Sequence, residues 1–358
     1  MGGTTLAAYG GSPGDDDENG QEKRIAMRAV VVREFGPIEA ATLGELPKPA
    51  AKDNEVLVAV RATGANFVDL LVIGGTYQFL PERPFAPGKL PAGVVAAVGA
   101  AVTGFKPGDR VLTMAEHGGY GEFVAVPETH CYRLPDSLSF VAAAAMSLVY
   151  DTAWFALRDR ARLRTGDTVL VLGASGGVGL AAVQLAKAMG AQVLAGVASA
   201  EKSDMVREAG ADAIIDLAGP DLRSSLREQV HRVTSGRGAD IVLDPLGGDI
   251  FDAALRAVAW RGRLVVIGFA AGRIPSLKTN YLLLKNIEVS GLQISDYRRR
   301  MPDQMAACFT DLFALHTQGK LKPLPTKTYP LEQFAAALRE IKERQVRGRI
   351  VLTQGGAS

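Results

Sequence analysis

Two cysteines, 4 histidines and 2 tryptophans in 358 residues leave little material for several kinds of chemistry. Cys131 and Cys308 cannot build a disulfide framework or a cysteine-rich zinc site, so a reducing cytoplasm is the default setting. His117, His130, His231 and His316 are scattered, without an HxxxH pair or a Cys/His cluster, and read as surface or packing residues. No G-x-S-x-G and no Ser/His/Asp ordering points to a hydrolase. No apolar run approaches the roughly 20 residues that span a bilayer, and no basic-then-apolar leader opens the chain. The 40 Lys and Arg nearly balance the 38 Asp and Glu, giving a net charge of +2 that offers no argument for a nucleic-acid partner. No internal repeat with a period of roughly 20–50 residues is visible.

The length of 358 residues suggests two domains, and 47% hydrophobic with 22% charged residues is ordinary for a globular protein. Residues 1–26 are rich in Gly and acidic residues, with the run Asp15–Glu18, and read as a disordered extension. From Met27 the chain offers short strands separated by Gly and Pro: Met27–Arg33, Glu55–Ala62, Gly93–Val98, Arg110–Thr113, Gly121–Val126 and Cys131–Leu134. A short helix follows Gly64. This is a barrel-like all-β pattern. The Ala-rich stretch Phe140–Arg158 reads as helical and as bridging the domains. Alternating strands and helices follow, with strands at Thr168–Leu172, Gln192–Val197, Ala213–Ile215, Ile241–Asp244, Arg263–Gly268 and Ile287–Ser290. Such alternation predicts a doubly wound parallel sheet. Helices Met301–Thr317 and Leu331–Arg344 and a final strand Arg349–Leu352 return to the first domain.

The stretch Thr168–Gly190, TVLVLGASGGVGLAAVQLAKAMG, organises the second half. A buried strand runs into Gly173-Ala-Ser-Gly-Gly-Val-Gly179, and helical spacing takes over at Val178, Ala181, Leu185 and Met189. Glycines permit a tight turn and close approach of a pyrophosphate, and the helix N-terminus presents N–H groups and a positive dipole end to it. The spacing departs from G-x-G-x-x-G in having Ala174. A dinucleotide site for NAD usually carries Asp or Glu at the end of the second strand. Here that strand ends in Val197-Ala198-Ser199, with Lys202 close behind, a hydroxyl and an ammonium suited to a 2′-phosphate. Glu201 belongs to the start of the next helix and can point outward.

The motifs GANFVDLLVIGGTY (64–77), PGDRV (107–111), GGYGEFV (118–124), YDTAW (150–154), GASGGVG (173–179), DPLGG (244–248) and LVVIGFAAG (264–272) resemble a known family. The chain resembles zinc-independent members of the medium-chain dehydrogenase/reductase superfamily, in the NADPH:quinone oxidoreductase, zeta-crystallin-like branch. The resemblance implies a Rossmann domain over 149–292 and a GroES-like β-barrel catalytic domain over 27–148 and 293–358. A cofactor cleft lies between the two. Zinc relatives place Cys, His and Glu where this chain has Asn66, Lys89 and Leu90, none of which is a zinc ligand in this setting. Leu90 also departs from the acidic residue many quinone reductases carry there.

By the same resemblance Ser175, Gly176, Gly177 and Val178 cradle the NADPH pyrophosphate. Ser199 and Lys202 meet the 2′-phosphate, Leu217 lies near the adenine, and Arg349 lies near a cofactor phosphate. Asn66, Tyr77 and Thr152 surround the nicotinamide side, with Asn66 and Tyr77 the catalytic candidates. Leu246, Ile267, Gly268 and Phe269 follow strand ends beneath the ribose and nicotinamide, and Gln293 and Ile294 reach the nicotinamide amide. No metal and no flavin are implied. The implied activity is hydride transfer to a quinone or related conjugated carbonyl, by a homodimer in the cytoplasm and without a membrane. A 2-enoyl-thioester or enone reductase is the nearest alternative, because Tyr77 stands where such relatives carry a proton-donating Tyr. An NADPH-binding structural or RNA-associated crystallin-like protein is a third. The basic run Arg298–Arg300 reads as a solvated loop or as a seat for a phosphate-bearing substrate.

Overall fold

The computed structural model describes residues 25–219 and 221–355, so residues 1–24 of the expected N-terminal extension lie outside the described residues. Six parallel strands form one sheet. In spatial order they are Ala213–Asp216, Gln192–Val197, Thr168–Val171, Ala239–Asp244, Val258–Val266 and Glu288–Gly291. The first three run backwards in chain order and the last three forwards. The order therefore reverses between Thr168–Val171 and Ala239–Asp244, the switch point where such sheets bind ligands. Strand alternation feeds both faces. Val169 and Val171 join one core with the helix Gly177–Ala188, and Leu170 and Leu172 join the other with Leu226, Val230 and Phe251.

A seven-stranded sheet forms the other part. It orders Thr326–Pro330, Arg349–Thr353, Glu55–Ala65, Ala92–Val98, Arg110–Thr113 and Cys131–Arg133, with Phe123–Pro127 also paired to Glu55–Ala65. The hairpin Ala26–Val32 with Ala41–Pro47 joins it through bridges at Ala29–Gly121 and Val32–Phe85. Arg349–Thr353 lies antiparallel to Glu55–Ala65, which brings the late chain back beside the early chain. The mixed α/β architecture with a parallel sheet and a GroES-like part is the one expected.

Some local expectations need refining. The Ala-rich stretch is helical, in pieces. It divides into Phe140–Met146, Val149–Phe155 and a wider-turned segment Ala156–Arg160, with a 41° bend between the first piece and the rest. Leu148 takes a φ of 67° at the break, and the Ser147 hydroxyl donates to the Ala144 carbonyl at 2.8 Å, ending the first helix. Helices at Asn280–Lys285 and Ile294–Arg300 and strands at Ala41–Pro47 and Thr326–Pro330 were not anticipated. Asp221 does cap the helix Leu222–Val233, accepting from Ser224 N–H at 3.3 Å. Among the described residues no single helix is long and apolar enough to cross a membrane.

Candidate active site

At the switch point the chain leaves Thr168–Val171 and turns into Gly177–Ala188. Gly173 holds a φ of 61°, and a Cβ on Gly179 would lie 2.3 Å from the Gly173 carbonyl oxygen. Only glycine lets the helix start this close to the strand end. Gly176, exposed and in the N-cap position, has no side chain to satisfy the first N–H groups of the helix. Those donors and the dipole behind them face outward, where an anion fits.

A buried cation is aimed at this turn. A Cβ on Gly177 would lie 2.9 Å from Arg349 Nη1. Arg349 is 6% exposed, and its guanidinium bonds neutral oxygens: Nε donates to Ala145 O at 3.0 Å and Nη2 to Asn66 Oδ1 at 2.7 Å. Burial lowers its pKa to about 10, against the pull of Asp69. Asn66 donates its side-chain amide to Gly64 O at 2.8 Å and its backbone N–H to Asp69 Oδ2 at 2.8 Å, at the start of the helix Phe67–Ile73. Tyr120 donates to the same carboxylate oxygen at 2.9 Å. Burial still pushes the Asp69 carboxyl up to about 6, more than these donors lower it.

On the other side of the cleft a second polar network crosses the two parts of the fold. Gln293 Nε2 donates to Tyr77 Oη at 3.0 Å, and Tyr77 Oη lies 3.1 Å from Ser295 Oγ. Ser295 Oγ donates to Glu116 Oε2 at 2.8 Å, and Lys89 Nζ meets the same oxygen. Arg298 Nη1 donates to Glu116 Oε1 at 2.9 Å, while Nε and Nη2 reach Asp151 Oδ2 at 3.0 and 2.6 Å. Burial raises the Glu116 carboxyl, but the Arg298 and Lys89 cations outweigh it and hold it at about 2. A cavity of about 300 Å³ opens beside this network, with Phe79, Met114, Glu116, His130 and Ser295 in its wall.

The residues expected from sequence fall into groups. Ser175, Gly176, Gly177 and Val178 make the turn and helix start, with Arg349 and Asn66 against it. Tyr77 and Gln293 are hydrogen-bonded directly, and half-buried Ile294 begins the helix that carries Ser295 and Arg298. Around the end of Gln192–Val197 sit Ser199, whose carbonyl accepts from Lys202 N–H at 3.2 Å, and Leu217, buried against Gly196. Glu201 turns its carboxylate toward Arg347 at 3.4 Å. Leu246 packs on Gly173, and Ile267 N–H donates to Asp244 O at 2.8 Å. Gly268 follows, then Phe269, which is 42% exposed. Thr152 is buried, and its own hydrogen bonds stay on its helix, to Asp151 and the Leu148 carbonyl.

The run Arg298–Arg300 is not a solvated loop. It ends the helix Ile294–Arg300, with Arg298 buried in the network and Arg299 and Arg300 paired to Asp296 at 2.6 and 3.3 Å. Arg298 is neutralised by two carboxylates and is no seat for a substrate phosphate. Sequence reasoning did not single out Glu116, Asp151, Ser295 or Arg298 as one network. The available signal was Asp151 inside the apolar run VYDTAWF, since a charge there needs a buried partner.

Residues 52–136 match the alcohol dehydrogenase GroES-like domain, and residues 177–311 match the zinc-binding dehydrogenase family. A quinone oxidoreductase-like protein 2 homolog of Nematostella vectensis is 37% identical over 332 residues, covering 92% of this chain and 89% of its own. The chain belongs to the medium-chain dehydrogenase/reductase superfamily, in its quinone oxidoreductase-like branch. Solved members of this superfamily share the whole architecture. A quinone oxidoreductase of Pseudomonas syringae superposes with a TM-score of 0.84 at 31% identity, over 92% of this chain and 100% of that one. The mycobacterial protein Rv1454c, solved as a complex with NADPH, gives 0.84 at 30% identity, again over 92% and 100%.

Proposed function

We propose that this chain is an NADPH-dependent reductase of quinones and related conjugated carbonyls that works without zinc. The observation that carries this is buried Arg349, bonded only to neutral oxygens among the described residues and set against the glycine turn at a helix N-terminus. A pyrophosphate supplies the direct anionic partner that Asp69, acting without a hydrogen bond to Arg349, does not. NADPH, when bound, supplies hydride from the nicotinamide ring. The backbone of Ser175, Gly176, Gly177 and Val178 and the Arg349 guanidinium hold the phosphates. Ser199 and Lys202 meet the 2′-phosphate, with Glu201 drawn off to Arg347, and Leu217 supports the adenine. Asn66, Tyr77, Thr152, Leu246, Ile267, Gly268, Phe269, Gln293 and Ile294 line the ribose and nicotinamide end. The residues fit the cofactor because the turn has no Cβ to exclude it.

Zinc does not fit. Asn66 is bonded to Arg349, Lys89 to Glu116, and Leu90 is fully buried, and among the described residues no three His, Cys, Asp or Glu side chains could hold a metal. Elemental analysis is expected to find substoichiometric zinc, and chelators to leave the rate unchanged. A stoichiometric zinc whose removal abolished turnover would contradict this.

The acceptor is a small molecule in the 300 Å³ cavity between Met114 and the helix Ile294–Arg300. The protein contributes position and a dry cleft. Residues 27–148 and 293–358 act as the catalytic domain and 149–292 as the cofactor domain. The partner for assembly is a second copy. Glu288–Gly291 ends the six-stranded sheet, and Trp260, Ile274, Leu283 and Leu284 stand 66–78% exposed, an apolar group that a twin surface covers. Two buried free thiols suit the cytoplasm. NADPH oxidation with a short quinone, an enone and crotonyl-CoA side by side tests the activity. The quinone is expected to be fastest, and no oxidation with any acceptor would overturn the assignment.

A further inference from the structure

The hydrogen bonds around Tyr77 have a direction, and the direction can be worked out from both ends. Ser295 backbone N–H donates to Gln293 Oε1 at 2.7 Å, which fixes the side-chain amide. The Gln293 NH₂ group therefore faces Tyr77 Oη at 3.0 Å, and the phenol oxygen accepts on that side. At the far end Glu116 accepts from Ser295 Oγ at 2.8 Å. An ionised carboxylate has no proton to return, and Ser295 has only one hydroxyl proton. The remaining 3.1 Å contact between Tyr77 Oη and Ser295 Oγ needs a donor, and only Tyr77 has a proton left for it.

The direction lasts as long as Glu116 stays ionised. Arg298 at one oxygen and Lys89 at the other see to that, and Asp151 in turn holds Arg298. Lys89 also lies over the Tyr77 ring, 5.0 Å from its centre. Glu116, Ser295 and Arg298 line the cavity together with His130 and Arg299.

We propose that Glu116 and Ser295 are positioning residues that keep the Tyr77 hydroxyl proton engaged on Ser295 Oγ and so withheld from the acceptor, and that this selects quinones over enoyl thioesters. The proposal rests on the reductase function stated above and adds the substrate class. A quinone that receives hydride becomes a hydroquinone anion, with the new charge on oxygen, and water supplies the proton. An enoyl thioester receives hydride at the β-carbon and must then be given a proton at the α-carbon, which calls for a placed acid. In both cases one C–H bond of NADPH breaks and NADP⁺ is left; the hydride forms an O–H bond on the quinone and a C–H bond at the β-carbon of the enoyl thioester. By the family resemblance Tyr77 stands where that acid would be, with its proton engaged on Ser295 Oγ.

Two substitutions release the proton. Ser295→Ala removes its acceptor. Glu116→Ala removes the acceptor of the Ser295 proton, so that Ser295 can donate to Tyr77 and the phenol proton is freed. In both variants kcat/KM for crotonyl-CoA relative to a short quinone is expected to rise at least about tenfold, the low end of what a placed acid contributes being roughly a hundredfold. Adding Tyr77→Phe to either variant should abolish the gain. A purely structural role would instead lower both activities together, and that result overturns the proposal. So does a wild-type enzyme that turns over crotonyl-CoA faster than quinone. A readout independent of turnover is the tyrosine Raman doublet, taken as wild type minus Tyr77→Phe. It should report a donor phenol in the parent and an acceptor-weighted one in Ser295→Ala, and an unchanged doublet overturns the proposal. With the Raman result in hand, inactivity toward every acceptor would refute the function without touching the proton direction.

Discussion

Arg298 and Arg349 are both buried, 2% and 6% exposed, yet their surroundings differ in kind. Arg298 bonds Asp151 twice and Glu116 once, so every charge brought out of water there has its opposite in contact. Arg349 bonds an amide oxygen and a backbone carbonyl. Withdrawing a cation from water costs several kcal/mol unless an anion or a full set of hydrogen bonds offsets it. The first arrangement is complete without a ligand, and removing one member exposes the rest. The second is incomplete, and a bound anion improves it. Buried charge therefore comes in two forms in one molecule: one cluster is neutralised internally, and the other is the one we propose for a phosphate.

The sharpest way to break this contrast is Arg298→Met. It leaves Asp151 and Glu116 buried without their cation, and urea unfolding is expected to show a loss of about 3–5 kcal/mol. A loss no larger than that of Arg349→Met would mean the two arginines are equivalent. The same network gives the wild type a pH signature. Glu116 titrates near 2 in the folded chain against 4.5 as its ordinary value. Its contribution is then full above pH 4.5 and is lost as pH falls from 4.5 toward 2. Melting temperature followed over that window should fall less steeply for Arg298→Met than for the parent.

Arg349→Met removes a cation that touches no carboxylate but leaves Asn66 Oδ1 and the Ala145 carbonyl without their donor, so the loss of stability is expected to be about 1–3 kcal/mol, smaller than for Arg298→Met. The NADPH dissociation constant measured by calorimetry should rise about 10–100-fold, the worth of hydrogen bonds to a charged group. An unchanged dissociation constant would erase the distinction. The smallest effect belongs to the half-buried Lys202. Lys202→Glu should raise the NADPH KM about tenfold, as expected for losing one charged contact, and leave NADH nearly unchanged. Wild-type binding of NADH as tight as NADPH would show that Ser199 and Lys202 do not read the 2′-phosphate.

Much of this was legible in the sequence, and unevenly so. The parallel sheet announced itself because its strands are buried on both faces and alternate with helices, so Gln192–Val197 was placed to the residue. Ala41–Pro47 and Thr326–Pro330 were overlooked because their side chains are largely exposed and neither carries a continuous apolar run. The break at Ser147–Leu148 left no Gly or Pro to mark it. It is imposed by packing, with Leu148 held at a φ of 67°. The glycine turn was visible because it is local. Tyr77 and Gln293, 216 positions apart, were each set near the nicotinamide by family resemblance alone, and their hydrogen bond was not foreseen. Glu116 and Asp151 were invisible as partners of Arg298, 182 and 147 positions away, since no local pattern encodes such distances.

Arg349 also ties the molecule together in time as well as space. It starts a strand laid down late, beside Glu55–Ala65 from early in the chain, and its guanidinium touches the turn of the other sheet at Gly177. The proposed phosphate seat is thus a property of neither sheet alone and needs the last strand in place. A dinucleotide lying across Gly177 and Arg349 would act as a staple between the two halves. Its binding energy would be added to a single shared melting event. Without it the halves are free to come apart at different temperatures, so the number of unfolding transitions, and not only their midpoint, becomes a measure of cofactor occupancy.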